Sequence, residues 1–139
     1  MRVIMDTNVL LGALISPHGP PDKIYRAWRA ARFDLVTSTA QLDELRRVSR
    51  YPKLKIILPA HRIGTMVNNM QRAIVLDALP PLPNGMEVND PNDAFLLSMA
   101  IVSEANHLIT GDRRAGLLQR SSVGHTRIVT PSTFCVEAL

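Results

Sequence analysis

Met1-Arg2-Val3-Ile4-Met5-Asp6-Thr7-Asn8-Val9-Leu10-Leu11 decides how the rest of this chain is read. Val3, Ile4 and Met5 form a short apolar run, the pattern of a strand buried in a parallel sheet, and the run stops at a charge, Asp6. In an open α/β sheet ligands bind in the crevice outside the carboxyl ends of the strands, so an acid placed there points into a site. His107-Leu108-Ile109-Thr110-Gly111-Asp112 repeats the arrangement, a second short strand that delivers Thr110 and Asp112 to the same edge. Asp6 also suits the N-cap of the helix that follows, because Asp is favoured at that position.

Working outward, short apolar runs alternate with amphipathic segments, which points to α/β layering with a largely parallel sheet. Ile24, Ala27, Trp28 and Ala31 fall at helical spacing in a segment entered through Pro20-Pro21-Asp22. Residues 33–37 read as the next strand. Ser38 then opens a helix, with Gln41 completing a capping box and Leu42, Leu45 and Val48 as the inner face, ended by Tyr51-Pro52. Pro59 marks a boundary within 55–79, after which Ile63, Met66, Val67, Met70 and Ile74 keep a helical period, so this segment reads as two helices, one of them short. The loop Pro80-Pro81-Leu82-Pro83-Asn84-Gly85 is too short for a domain linker. Residues 93–103 read as a helix, 108–110 as a strand, 115–119 as a short helix and 127–130 as a final strand. Pro131-Ser132-Thr133 starts a terminal helical turn.

With 139 residues and 46% apolar content, the chain is long enough for one proper core. Its single cysteine, Cys135, excludes an internal disulfide framework and a cysteine-rich zinc site, and makes a reducing cytoplasm the natural setting. Asp6 and Asn8 interrupt what would otherwise resemble a signal peptide, and no apolar stretch approaches the roughly 18 residues of a membrane span. The net charge is +4 even though the candidate pocket contributes acids, so the remaining surface is more basic than the sum suggests. Arg26, Arg29 and Arg32 recur at helical spacing, and Arg46, Arg47, Arg50, Lys53 and Lys55 form a second cluster. Basic surface around an acidic pocket suits a polyanion. Aromatics make up only 4%, so phosphate contacts rather than base stacking would carry affinity. Arg46, Arg47, Arg50 and Arg113 are the candidate phosphate contacts.

The candidate site consists of Asp6, Glu44, Asp93 and Asp112. Asp43 neighbours Glu44 but has Arg46 and Arg47 at i+3 and i+4, which explains it as a surface ion-pairing residue. Glu44 lies one step from the stripe of Leu45 and Val48, which turns it toward the interior edge. In Asp90-Pro91-Asn92-Asp93, the aspartate-proline start makes Asp90 the helix cap and leaves Asp93 in the first turn, where the helix dipole favours an acid. Asp112, between Gly111 and Arg113-Arg114, also suits a turn with a surface ion pair.

Converging carboxylates without His or Cys ligands favour a hard cation, Mg²⁺ or Mn²⁺. Such a site commonly shares its ion with a phosphate substrate and supports phosphodiester hydrolysis. Other chemistries fit worse. There is no phosphate loop of the Gly-x-x-x-x-Gly-Lys type, no Gly-x-Gly-x-x-Gly after the first strand and no Gly-x-Ser-x-Gly elbow. His18, His61, His107 and His125 are scattered without metal-ligand spacing. A phosphatase of the haloacid-dehalogenase type needs a second acid two residues after the first, where this chain has Asn8.

Asp6-Thr7-Asn8-Val9-Leu10-Leu11, Glu44-Leu45 followed by Val48, Asp93-Ala94-Phe95-Leu96-Leu97-Ser98-Met99-Ala100 and Thr110-Gly111-Asp112 together resemble the PIN-domain ribonucleases, in that family's order and over nearly the whole chain. The resemblance is strongest to stand-alone prokaryotic PIN proteins, which are often toxins of VapBC-type toxin–antitoxin pairs. It implies a single domain over residues 1–139 with a three-layer α/β/α fold and a central, mainly parallel sheet of about four to five strands. It further implies a Mg²⁺- or Mn²⁺-dependent endoribonuclease in which Asp6, Glu44, Asp93 and Asp112 form the acidic quartet. Asp6, Asp93 and Asp112 would be the metal ligands, and Asn8, Thr110 and Asp90 the supporting groups. Asp90 and Asp93 both stand as candidate ligands. An RNA substrate, a cognate antitoxin, a homodimer or higher assembly and a cytoplasmic location complete the expectation. The alternative is a catalytically weak nucleic-acid-binding or regulatory protein on the same fold. Against it, a binder has no need to gather mutually repelling carboxylates.

Overall fold

The apolar run after Met1 forms β1 (Arg2–Met5), and the chain then alternates as the pattern requires. In order follow α1 (Thr7–Ile15), α2 (Pro20–Arg29), β2 (Asp34–Ser38), α3 (Thr39–Val48), α4 (Pro52–Ile57), α5 (Ala60–Met70) and β3 (Ile74–Leu76). The second half contains α6 (Pro91–Ser103), β4 (His107–Ile109), α7 (Leu117–Arg120), β5 (Ser122–Val123), β6 (Thr126–Val129) and α8 (Pro131–Ala138). The computed structural model describes residues 1–88, 90–111 and 116–139, with Asn92 described in its backbone alone. Two of the candidate residues, Asp112 and Arg113, therefore lie outside the described residues.

Among the described residues the sheet has six strands in the order β3-β2-β1-β4-β6-β5. Every pairing is parallel except β5 with β6. Successive residues of a strand point to opposite faces. Val3, Met5, Leu35, Ile109 and Val129 therefore join the core under α1, α2, α3, α5 and α8, while Ile4, Val36, Leu108 and Ile128 join the one under α6 and α7. Full burial of side chains such as Leu10, Ile24, Leu45 and Leu96 stabilises the layers by about 1.5–3 kcal/mol each. Leu79, Leu82, Met86 and Val88 pack onto the α6 side, so the proline-rich loop is part of that layer.

Three expectations need correction. The strand count is six rather than four to five. Ile74, at i+4 from Met70, continues the period of α5 in the sequence, but α5 ends at Met70 and Ile74 begins β3. The capping box is also only half formed. Ser38 Oγ does accept the Gln41 N–H at 3.1 Å, yet the Gln41 side chain turns inward. Its Nε2 donates to the Met5 carbonyl at 2.7 Å and its Oε1 accepts the Thr37 hydroxyl at 2.6 Å. The buried amide thus ties the start of α3 to the end of β1.

Candidate active site

The chain builds the sheet outward from β1 through β2 to β3, then returns through α6 to lay β4 on the other side of β1. This reversal opens a crevice at the carboxyl ends of β1 and β4, the place where doubly wound sheets bind ligands. Asp6 follows β1 directly, and Thr110 follows β4 directly. The Asp6 N–H donates to the Ile109 carbonyl at 2.8 Å, which locks the two strand ends together.

Asp6 is only 7% exposed, and both of its oxygens are engaged. Oδ1 accepts the Asn8 N–H at 3.3 Å, and Oδ2 accepts the Thr110 hydroxyl at 2.7 Å. The capping role and the site role are therefore compatible: one oxygen caps α1 while the other is aimed by Thr110. Asp93, 4% exposed, sits in the first turn of α6, where its N–H donates to the Asp90 carbonyl at 2.9 Å. Asp90 is half-buried in the position just before that helix.

Asp6, Asn8, Glu44, Asp90 and Asp93 line a single pocket of about 130 Å³, with Phe95 and Leu96 supplying its apolar part. Four carboxylates separated by up to 87 residues in sequence thus converge on one space. Burial raises the pKa of Glu44 above its ordinary 4.5, and the carboxylates of Asp6 and Asp90 add to the rise. The Thr7 hydroxyl and Arg47 oppose it. Among the described residues Thr7 Oγ1 has no hydrogen bond of normal geometry. Asp43, by contrast, stands on the exposed side of α3, paired with Arg46 at 3.1 Å. Arg47 and Arg50 are exposed on the same helix and just beyond it. Of the candidate phosphate contacts among the described residues, Arg47 is the one whose charge is felt at Glu44.

The lining suits a hard cation in its chemistry, offering carboxylate and amide groups with no thiolate or imidazole. No three described carboxylate, imidazole or thiol groups form a ready-made cage. Mg²⁺ does not require one, since it binds through one or two carboxylates and completes its shell with water and substrate phosphate oxygens. The part of the rise at Glu44 that comes from the neighbouring carboxylates of Asp6 and Asp90 is what a cation in this space would relieve.

Sequence reading missed Phe95, Leu96 and the inward-facing Gln41. The first two carry no signal beyond helical apolarity. Gln41 did, three residues after Ser38, but as a cap.

A family model described as PIN domain matches residues 2–114. An uncharacterized protein of Methanocaldococcus jannaschii is 28% identical over 144 residues, an alignment covering 99% of this chain and 91% of that one. Among solved structures, the crystal structure of VapBC2 from Rickettsia felis bound to a DNA fragment from their promoter matches with a TM-score of 0.59 and 18% identity. That match covers 94% of this chain and 98% of the other and shows a shared fold.

Proposed function

We propose, from the premise that this chain belongs to the PIN-domain family, that it is a Mg²⁺- or Mn²⁺-dependent endoribonuclease that cuts RNA phosphodiester bonds at the carboxylate pocket. PIN domains are typically nucleases. The observation that carries the reading is the convergence of Asp6, Glu44, Asp90 and Asp93 on one pocket at the strand ends where the chain reverses. A bound divalent cation would supply positive charge to the phosphodiester as it is cut and make a water molecule acidic enough to attack. Asp6 and Asp93 are the residues to hold it, joined by Asp112 from the resemblance, with Asp90 in support.

The rest of the chemistry belongs to the protein's own side chains. Thr110 and the Asn8 N–H fix the two oxygens of Asp6. Glu44, which lines the same pocket, takes up at its carboxylate the proton given up by the attacking water. Arg47, and Arg46, Arg50 and Arg113 beyond it, hold flanking phosphates. The biological reading is a cytoplasmic toxin of a two-component pair, assembled as a homodimer or higher oligomer and restrained by a cognate antitoxin that closes the pocket. The likeness to the VapBC2 structure supports this reading through the fold, and the resemblance of the site motifs supports it through the residues. Among the described residues no helix is long and apolar enough to cross a membrane.

The test is cleavage of total RNA by the purified protein in Mg²⁺ or Mn²⁺, in EDTA, and with Asp6→Asn and Asp93→Asn. Metal-dependent cutting that disappears in both variants supports the assignment. Equal cutting by the variants, or no cutting in any lane, defeats it and leaves the weak nucleic-acid binder as the better account.

A further inference from the structure

Asn8 lines both the carboxylate pocket and a second, wider groove of about 470 Å³, whose other lining residues are Val9, Pro21, Gly111 and Pro131. Pro21 lies in the first turn of α2, and Pro131 is the first residue of α8. An added Cβ at Gly111 would meet no atom within 4 Å, which marks the space beside it as open. α2 and α8 pack against one another, the Cys135 thiol reaching the Pro20 carbonyl at 3.8 Å. Farther along the same seam is a third groove of about 530 Å³, with Lys23, Arg26 and Arg32 on one side and Cys135 and Leu139 on the other. The small side chains of Ala27 and Ala30 form part of its lining and keep it wide.

The charge along the seam changes in order. The first pocket is acidic, the step at Pro21 and Pro131 has no charged side chain among its described lining residues, and the third groove is basic. Lys23, Arg26, Arg29 and Arg32 fall three residues apart on and just beyond α2. Arg26 is engaged by Asp22 at 2.8 Å, and the Arg29 guanidinium lies over the Trp28 ring at 5.4 Å. Lys23 and Arg32 are exposed and make no ion pair among the described residues. From Pro21 to Ala30 the helix advances roughly 14 Å, enough for more than one backbone phosphate.

We propose that single-stranded RNA leaves the carboxylate pocket past Asn8 and follows the α2–α8 seam. Pro21 and Pro131 accommodate a base next to the scissile bond, and Lys23 and Arg32 bind phosphates farther along the strand. The path rests on the nuclease reading for its direction, but its affinity can be measured without cleavage. An acidic pocket repels the backbone it must cut, so cations outside the pocket supply the binding that brings the strand in. The position of Asn8 in the lining of both spaces, next to the carboxylates, and the complementary charge farther along α2 favour this occupant over an acidic protein segment.

The experiment measures binding of a fluorescein-labelled oligouridylate in EDTA over a range of KCl concentrations, for wild type, for Lys23→Glu/Arg32→Glu and for Lys23→Gln/Arg32→Gln. Both residues are exposed, and circular dichroism confirms folding. The expected result is a fall in affinity of about tenfold or more in the charge-reversed variant and a smaller fall in the neutral one. The slope of log K against log salt should become shallower by about 0.7 for each phosphate that is no longer neutralised. In Mn²⁺ the corresponding decline in cleavage of long RNA should fall on KM. Wild-type affinity and slope in both variants overturn the path, as does tighter binding of a duplex with the same dependence on the two residues. If wild type cuts RNA and its affinity ignores Lys23 and Arg32, the seam fails and the nuclease reading stands. If it cuts nothing but binds through both residues, the nuclease reading fails and the seam stands as a single-strand binding surface.

Discussion

The carboxylate pocket and the α2–α8 seam hold opposite charges in opposite ways. In the pocket, Asp6 follows a strand end and Asp93 lies in a first helical turn, both are buried, and Asp6 has each oxygen bound by a named donor. Along the seam, long side chains stand exposed on one helix, with Arg26 tied by an ordinary i,i+4 pair. Fixed, desolvated charge can distinguish a transition state from a ground state, whereas mobile, solvated charge contributes attraction that salt screens. The difference teaches where to look for rate and where to look for affinity.

The largest expected contrast comes from treating the two regions alike. Asp6→Asn should reduce kcat by about a hundredfold or more, in the range of removing a positioned acid–base or charge-stabilising group. Lys23→Gln should instead raise KM for long RNA, by less than about tenfold, the size of one phosphate interaction. Single-turnover kinetics separate the two, and equal reductions in kcat would erase the distinction. Thr110→Val comes next. It keeps the shape of the side chain but removes the hydroxyl that aims Asp6 Oδ2, and deleting such a supporting hydrogen bond is expected to cost about 10–100-fold in activity or metal affinity. Activity within about twofold of wild type would mean that Asp6 needs no aiming.

Glu44→Gln sharpens the comparison from the stability side. It removes a carboxylate whose charged form is disfavoured by burial and, to a lesser degree, by the charges of Asp6 and Asp90, so in EDTA the variant should melt at a higher temperature than wild type while losing cleavage. A lower melting temperature would show that Glu44 makes a net stabilising contact. Asp43→Asn, one residue away, is the control. It breaks an exposed pair with Arg46, so stability should stay within about 0.5 kcal/mol and cleavage should be unchanged.

The smallest effect lies outside both regions. His107 packs edge-on to Phe134, with ring centroids 5.1 Å apart. Burial lowers its pKa below 6.5, with Arg127 adding and Glu137 opposing. Below pH 6.5 the unfolded chain therefore binds a proton more readily than the folded one, and stability falls as pH drops from 6.5 through the folded-state pKa. Chemical denaturation at descending pH should show this decline, and His107→Gln should flatten it.

What was legible in the sequence follows from how local each feature is. β1 and β4 announced themselves because each is an apolar run ended by a polar residue, and the choice of Glu44 over Asp43 needed only the position of Leu45 and Val48 on one helix. β3 was hidden because three residues are too few to show a period of two, and Ile74 happens to continue the spacing of Met70. β5, with two residues, pairs antiparallel beside a tight turn and carries even less pattern. Gln41 was legible as a cap but not as the tie to Met5, because that partner lies 36 residues away. The seam was half visible as the spacing of Arg26, Arg29 and Arg32. Its other wall is α8, from the far end of the chain, and nothing local in α2 points to it.

The central place of β1 in the sheet also has a consequence for biosynthesis. Asp6 is made well before its hydrogen-bonded neighbours Ile109 and Thr110, which are more than a hundred residues downstream. During translation the nascent chain can pair β1 only with β2 until β4 has cleared the exit tunnel, so the acidic pocket has neither its second strand end nor the hydroxyl that orients Asp6. A protein proposed to cut RNA thus has no finished blade beside the ribosome until β4 has been made and has emerged.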